Sequence, residues 1–287
     1  MLLPPKINKD YRFMNRQILS LLIVTLFITG CNQQTEDPEK PEFKAPMGPY
    51  GLPYQVGNLG GKAVNLPEGV RWLEYEDSPV LNPENRRTGY KPPPRNYNSI
   101  ITSFGVIMKY PTGLVLVRYR KAPRDSSKQY DAEINLADHQ WIDIGVNAGR
   151  RYENNLTGAF INSTLNSTVR SQKIIKEYSY IYIYIPSNQH EYGLEKHIPH
   201  PEWVESSRYK ETTDLYIQKN EEGKVTTLIR CSNTNVALAR KCSMQSIMEP
   251  AMKVLLDVQF QRVHLKDWHL IQQQSEKIIK SFIVQPK

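Results

Sequence analysis

The stretch MKVLLDVQFQRVHLKDWHLIQQQSEKIIKSF, residues 252–282, decides the fold class of this chain. Apolar side chains occupy every second position from Met252 to Phe260, which predicts a strand with one buried face. From Leu265 the spacing changes to three and four, which predicts an amphipathic helix ending near Phe282. Its stripe consists of Leu265, Trp268, Ile271, Ser275, Ile278, Ile279 and Phe282. Because such a stripe must be covered, we expect the helix to pack on a sheet.

Further strand patterns extend toward the N-terminus. Segments rich in β-branched and aromatic residues, bounded by proline and glycine, lie at 70–76, 100–110, 114–119 and 141–146. Two more, 214–218 and 224–231, flank a turn that contains Gly223, which predicts a hairpin. We therefore predict an α+β fold, mainly antiparallel β-sheet with the C-terminal amphipathic helix packed on it. The body is either single or divided into two lobes that meet near residues 150–175.

A row of tyrosines marks the segment YSYIYIYI, residues 178–185. Its period of two places the four phenol rings on one face of a strand and the isoleucines on the other. In one interpretation the isoleucines face the core and the tyrosines are partly covered. In the other, the tyrosine row is a surface that binds a partner, since tyrosine combines a large apolar area with a polar tip.

The overall composition excludes two classes of protein. The chain has 287 residues, of which 39% are hydrophobic and 23% are charged, and its mean hydropathy is −0.54. These values fit neither a wholly disordered chain nor one that crosses a membrane many times. We expect a mostly soluble protein that is large enough to bury a core.

The N-terminus resembles a bacterial lipoprotein signal. Arg16 precedes an apolar run from Ile18 to Ile28, which is too short to span a bilayer but has the length of a secretory signal core. The run ends in Ile28-Thr29-Gly30-Cys31, which looks like a lipobox. We therefore expect residues 1–30 to be an N-terminal extension and signal peptide, and Cys31 to carry the lipid. The alternative is an anchor helix or buried strand with an incidental cysteine.

The residues after Cys31 suggest a tether to the cell envelope. Residues 31–59 begin with a polar, proline-bearing stretch without periodicity, and we expect them to be a flexible linker to a body that spans 60–287. Fully extended, this linker reaches at most about 95 Å. By resemblance to enterobacterial sorting rules, Asn32 favours the outer membrane. The predicted location is the periplasmic face of the envelope.

The charge pattern argues against nucleic acid as a partner. The net charge is +8, and removal of residues 1–30 takes away four basic residues and one acid, which leaves +5. No block of five or more Lys and Arg residues follows. A mixed, solvated surface explains this mild excess better than a nucleic-acid site does.

Two cysteines, Cys231 and Cys242, remain beyond the signal. An even pair in an exported chain predicts a disulfide, because disulfides form and persist in oxidising compartments. Two free buried thiols, or a metal or redox pair, are the alternatives.

Candidate chemistry is sparse. His190, His197 and His200 lie near Glu191 and Glu195, but the surrounding prolines indicate an irregular loop and no HExxH pattern is present, so surface histidines are favoured over a metal site. Asp138-His139 could orient a base, yet no nucleophile motif accompanies it. We expect no enzyme activity and no cofactor.

Several sequence blocks resemble a known family. The blocks are GGKAVNLPEGVRWLEYEDSP (60–79), ITSFGVIMKYP (101–111), WIDIGVNAG (141–149), YGLE (192–195), DLYIQKNEEGKVTTLIRCSN (214–233), Cys242 and QRVHLKDWHLIQQQSEKIIKSF (261–282). Together they resemble a group of Gram-negative envelope lipoproteins that occur beside type VI secretion effectors and act as their cognate immunity proteins. The resemblance implies a partner, the secreted effector, which the protein would neutralise by stoichiometric binding.

Two functional hypotheses follow. The first is a lipid-anchored periplasmic immunity protein, and the alternative is a structural or assembly-type envelope lipoprotein without a toxin partner. For the immunity protein, we expect the interface to include Arg86, Arg87 and Tyr90, because aromatic residues and arginine dominate binding hot spots and the proline-rich loop that carries these side chains has no role in the core.

Overall fold

The computed structural model describes residues 43–79, 84, 89–118, 122–154, 184–199 and 213–285. The unit that begins at Phe43 and continues to the C-terminus is compact. Cys31, Arg86 and Arg87 lie outside the described residues, as do the signal peptide and the first part of the predicted tether.

Most of the described chain is antiparallel sheet. Its strands are β1 Gln55–Leu59, β2 Lys62–Leu66, β3 Arg71–Tyr75, β4 Ile101–Lys109, β5 Leu114–Val115, β6 Trp141–Asn147, β7 Tyr184–Glu191, β8 Leu194–Pro199, β9 Thr213–Lys219, β10 Val225–Ser232, β11 Lys241–Ile247 and β12 Leu255–Gln261. Within the described residues, β1 and β2 form a separate hairpin and the other ten strands form one sheet. Its order is β3-β4-β6-β12-β11-β10-β9-β8-β7, with β5 paired to β4.

Three α-helices accompany this sheet in the described part of the chain. They are α1 Asp125–Glu133, α2 Gly149–Asn154 and α3 Trp268–Ser281, and a 3-10 turn, Arg262–Asp267, leads directly into α3. The buried side chains of α3 are Trp268, Ile271, Ser275 and Ile279, which belong to the predicted stripe. They pack in one core with the buried residues of β4, β6, β11 and β12. The predicted fold class is therefore confirmed.

The alternation within the central strands explains how one sheet face becomes the core. In β6, Ile142, Ile144 and Val146 are buried on the α3 side, whereas Asp143 and Gly145 point to the opposite face and are half-buried. This pattern follows from the period of two in a strand.

The pairing of β6 with β12 joins the two halves of the sequence. Asn147 lies opposite Leu255, and Asp143 lies opposite Gln259. The described strands on both sides of the suggested lobe boundary at 150–175 therefore share one sheet. Residues 155–183, which contain most of that boundary, lie outside the described residues.

The folded body begins earlier than residue 60. In β1, Val56 and Leu59 are buried, and the backbone N–H of Asn58 donates to the carbonyl of Ser99 at 2.8 Å. Residues 43–59, which the composition assigned to the linker, thus pack on the body. Apolar side chains in a proline-rich stretch explain the difference, because tertiary burial outweighs the local signal for a linker.

The tyrosine row is described only at its end. Tyr184, the first residue of β7, is 1% exposed, whereas the adjacent Ile185 is half-buried. At this end the tyrosine faces the core and the isoleucine does not, which is the reverse of the expected orientation. The other three tyrosines lie outside the described residues.

Candidate partner-binding site

Tyr90 is the predicted interface residue that the structure describes, and it lies in a polar cluster. Its hydroxyl donates to Asp77 Oδ2 at 2.7 Å. Arg95 Nη1 donates to both carboxylate oxygens of Asp77 at 2.9 Å, and Arg95 Nη2 donates to the Tyr90 hydroxyl at 3.2 Å. Tyr90 therefore helps to hold the proline-rich loop in place, in addition to any contact with a partner.

Electrostatics favour the ionised form of Asp77. Partial burial alone would raise the pKa of this carboxyl, but the hydrogen bonds from Tyr90 and Arg95 and the charge of Arg95 together lower it. The cluster is thus an ion pair at neutral pH, with its charges already compensated.

Arg95 also connects the loop to the edge of the sheet. Its guanidinium lies 3.9 Å from the centre of the Tyr75 ring, in a cation–π contact. The Tyr75 hydroxyl in turn donates to the carbonyl of Val56 in β1 at 2.9 Å. Burial is the main reason why the pKa of Tyr75 is raised, so this hydroxyl remains a donor.

An open groove of about 760 Å³ lies beside this cluster. Its lining includes Leu52, Pro53, Pro67, Val70, Leu73, Pro92 and Pro93, with Tyr75 and Arg95 also contributing. Such a shape, apolar with a few polar groups, is typical of surfaces that accept another molecule. Arg95 is the member of the polar cluster that lines this groove.

Trp72 is an exposed aromatic residue that sequence analysis did not single out. Its φ of +52° is unusual for a bulky side chain, and it is 72% exposed. A register shift between Arg71 and Glu74 marks a bulge in the edge strand β3. The Arg71 guanidinium lies 4.3 Å from the Trp72 ring centre, and the ring lies beside Gly105 on β4. Regular alternation in the sequence carries no sign of this bulge.

The Cys231–Cys242 disulfide is present and joins neighbouring strands. The two cysteines lie opposite each other in the register of β10 and β11, and both are buried in the core on the α3 side. The bond therefore closes the base of the hairpin loop that connects these strands.

A half-buried arginine, Arg262, fixes the same region. Arg262 Nη1 donates to the carbonyls of Cys231 and Ser232 at 3.2 and 3.0 Å. Arg262 Nη2 forms an ion pair with Asp214, and it donates to the Tyr216 hydroxyl at 3.3 Å. Burial is the largest cause of the raised pKa of Tyr216. No motif in the sequence indicated this network, because its members come from three separate segments.

The histidine cluster is not brought together as a metal site. His197 is buried and its Nε2 lies 2.8 Å from Glu195, whereas His190 is exposed and His200 lies outside the described residues. A hydrogen bond from Lys219 is the largest cause of the lowered pKa of Glu195. In the part of the chain that the structure describes, no group of three or more His, Cys, Asp or Glu side chains could hold a metal ion.

His139 is largely buried, with 7% of its surface exposed. Its Nε2 is 2.7 Å from the amide nitrogen of Gln261 on β12. Burial, followed by the charges of Lys241 and His264, lowers the pKa of this imidazole. The neighbouring Asp138 does not hydrogen-bond to the His139 ring in the described contacts; its carbonyl instead lies 3.2 Å from His264 Nε2.

None of the helices that the structure describes combines the length and the apolar character that a membrane crossing requires.

Comparison with known proteins yields two distant structural likenesses. No protein-family model and no curated protein sequence matches the chain. The immunity protein Smlt3025 of the Stenotrophomonas maltophilia type IV secretion system aligns with 81% of this chain and 94% of its own, at 14% identity and a TM-score of 0.47. The iron-regulated outer membrane lipoprotein FrpD of Neisseria meningitidis aligns with 84% of this chain and 97% of its own, at 15% identity and a TM-score of 0.33. Both likenesses are distant in sequence and in structure.

Proposed function

We propose that this chain is a lipid-anchored protein of the cell envelope that binds a secreted toxin and neutralises it by stoichiometric binding. By the resemblance of its sequence blocks, the toxin is an effector of a type VI secretion system. The protein does not modify the toxin chemically. Lipid on Cys31 anchors it at the periplasmic face, where a delivered effector arrives.

The bonded pair Cys231–Cys242 is the observation that carries this proposal. Disulfides persist in oxidising compartments and are rare in the cytosol, so the bond supports an exported protein. The lipobox at residues 28–31 supports the same location independently.

Several carboxylates are engaged in hydrogen bonds and ion pairs, which favours binding over catalysis. Glu133 accepts hydrogen bonds from Lys109 Nζ at 2.7 Å and from Trp141 Nε1 at 3.0 Å. The bond from Lys109 is the largest cause of the lowered pKa of Glu133. Asp77 and Asp214 are likewise engaged with arginines. A carboxylate committed to such contacts supports a rigid scaffold, which is what a stoichiometric inhibitor requires.

A competition experiment tests the proposal. The gene is deleted in a strain whose secretion cluster remains active, and the deletion strain is grown in contact with its parent. We expect the deletion strain to be killed, and we expect a soluble periplasmic form of the protein to restore resistance. A parent with an inactivated secretion apparatus is the control and should not kill. Equal growth beside the active parent would reject the immunity role and favour the structural lipoprotein.

The anchor is tested separately. Wild-type protein should incorporate labelled palmitate, and the Cys31→Ser variant should not. A wild-type protein without label would contradict lipidation while leaving toxin binding open to the competition experiment.

A further inference from the structure

The loop between β10 and β11 exposes a cluster of aliphatic side chains. Val236 is 60% exposed and Leu238 is 45% exposed, and two alanines, Ala237 and Ala239, complete the segment VALA. We call residues 236–239 the hairpin tip. An exposed aliphatic segment of this kind is unfavourable in water, and clusters of this kind mark interaction sites.

A neighbouring segment extends the apolar area beyond the hairpin tip. Ala237, Ala137 and Val263 line a shallow depression of about 440 Å³, together with Asp138 and Arg240. Val263 is also exposed, as is Leu136 beside Ala137. The apolar area therefore draws on three segments that are distant in sequence.

The hairpin tip is held in one conformation. The Cys231–Cys242 disulfide closes its base. Arg240 Nε donates to the carbonyl of Thr234 at 2.8 Å across the loop, and the backbone N–H of Arg262 donates to the carbonyl of Arg240 at 2.8 Å. A rigid apolar loop loses little conformational entropy on binding, so its exposed area contributes more to affinity.

The hairpin tip lies at the end of the body opposite to the point where the chain enters it. Phe43 packs against Tyr97 with ring centres 5.3 Å apart, and the Tyr97 hydroxyl donates to Asn65 Oδ1 at 2.9 Å. The backbone N–H of Asn65 donates to the carbonyl of Phe282, at the C-terminal end of α3. Arg240, the residue directly after the hairpin tip, instead accepts a hydrogen bond from the backbone N–H of Arg262, where the turn before α3 begins.

This placement distinguishes between a membrane and a protein as the occupant. The turn Arg262–Asp267 and helix α3 together have a length of about 30 Å at standard rises per residue. The chain N-terminal to Phe43, which carries the proposed anchor, joins the body at the other of these ends. We therefore take a protein from solution, rather than the membrane, as the occupant of the hairpin tip.

The charged residues near the hairpin tip indicate which side chains the partner presents. Arg240 and Lys241 are exposed and follow the hairpin tip directly, with Asp138 as the acid on the lining of the depression. A complementary surface presents aliphatic or aromatic side chains bordered by carboxylates. We propose that the hairpin tip is the surface that binds the toxin, through an apolar patch with an acidic border. The inference rests on the proposed function and names its contact site.

Binding measurements on purified proteins test the inference. The probe is the catalytically inactivated secreted protein encoded beside the gene, titrated against the detergent-solubilised full-length chain. The double variant Val236→Asp/Leu238→Asp should bind roughly 30-fold or more weakly, as expected when central apolar contacts are lost. Met47→Asp is the matched control, because Met47 is 63% exposed but lies near the point where the chain enters the body. Its affinity should stay within about threefold of wild type. Circular dichroism and thermal unfolding verify that both variants are folded.

A variant with a reversed charge provides a second, independent test of the proposed contact site. Lys241→Glu should weaken binding several-fold and reduce its dependence on salt concentration, because Lys241 is exposed and lies two residues after the hairpin tip. If the aspartate double variant does not fold, the Lys241→Glu variant therefore still tests the inference.

The possible results separate the two proposals. If the wild type binds the probe and the aspartate and Lys241 variants bind it equally tightly, the inference is wrong. That result would leave the immunity role intact. Equal loss of binding in the Met47 control would also overturn it. Failure of the wild type to bind the probe would contradict the proposed function itself. Binding of the Cys31→Ser protein to phosphatidylglycerol vesicles, abolished by the aspartate substitutions, would assign the hairpin tip to the membrane instead.

Discussion

Arg262 and Asp214 form an ion pair across 48 residues of sequence. Asp214 belongs to β9 and is buried, and its other carboxylate oxygen accepts a hydrogen bond from Asn233 at 2.9 Å. A buried carboxylate is tolerated only when its charge is paired and its oxygens are hydrogen-bonded. The pair therefore ties the start of the C-terminal helical segment to the far half of the sheet.

Removal of this arginine should destabilise the fold strongly. Arg262→Met leaves Asp214 buried without its cation, which typically costs about 3–5 kcal/mol. We expect this loss in the free energy of unfolding measured by urea denaturation. Lys280→Met is the control, since it breaks a more exposed pair with Glu276 and should cost no more than about 0.5 kcal/mol. Equal effects of the two substitutions would contradict the role assigned to the Asp214 pair.

The disulfide should contribute to stability through the unfolded chain. Replacement of Cys231 and Cys242 by serine reopens a short loop, and we expect a loss of about 2–4 kcal/mol. Chemical denaturation of both proteins with and without a reducing agent measures this loss. Reduction should lower the stability of the wild type but not that of the serine variant. A wild type indifferent to the reducing agent would show that the bond does not stabilise the fold.

Gly57 in β1 should not tolerate a side chain. A Cβ built there would lie 2.6 Å from the carbonyl oxygen of Ser99 and 2.6 Å from Cγ1 of Ile101. Gly57→Ala should therefore cost about 1–3 kcal/mol through overpacking. Gly145→Ala is the matched control, because its nearest neighbour, the carbonyl oxygen of Asp257, would be 3.4 Å away. Comparable melting temperatures for the two variants would contradict the close packing of β1 on β4.

Stability should depend on pH through His139. The pKa of this imidazole is lowered from 6.5 in the fold, first by burial and then by Lys241 and His264, so the unfolded chain binds its proton more readily. The contribution of His139 to the free energy of unfolding is complete above pH 6.5. It decreases as the pH falls from 6.5 toward the lowered pKa of the folded state, by at most about 1.4 kcal/mol per pH unit. In the His139→Gln variant, the midpoint of urea denaturation should change less between pH 7 and pH 5 than it does in the wild type. His190→Gln, at an exposed position, should not.

The α+β fold could be predicted because its main signals are local. The alternation before Phe260 and the stripe after Leu265 depend on neighbouring residues alone, and the structure places β12 and α3 there. The disulfide between Cys231 and Cys242 could be predicted from an oxidising compartment and an even number of cysteines beyond the signal. Composition misplaced the start of the body, because burial of Val56 and Leu59 depends on β4 and on the core rather than on adjacent residues.

The candidate binding surfaces were harder to predict for a physical reason. The loop that carries Tyr90 was expected to have no role in the core, yet the Tyr90 hydroxyl donates to Asp77 and accepts from Arg95, and no local sequence pattern encodes these contacts. Trp72 fits the alternation of an ordinary strand, and only the pairing register of β3 with β4 reveals the bulge that exposes it. The exposure of Val236 and Leu238 likewise depends on which distant segments surround the loop.

The early start of the body sets how far it can move from the membrane. Eleven residues, 32–42, separate a lipidated Cys31 from Phe43, and a chain of that length spans at most about 40 Å when fully extended. With the proposed lipid on Cys31, this length would keep the folded part in a thin layer above the lipid. The proposed capture of a toxin would then be fastest beside the anchoring membrane, because confinement raises the effective concentration of the protein there.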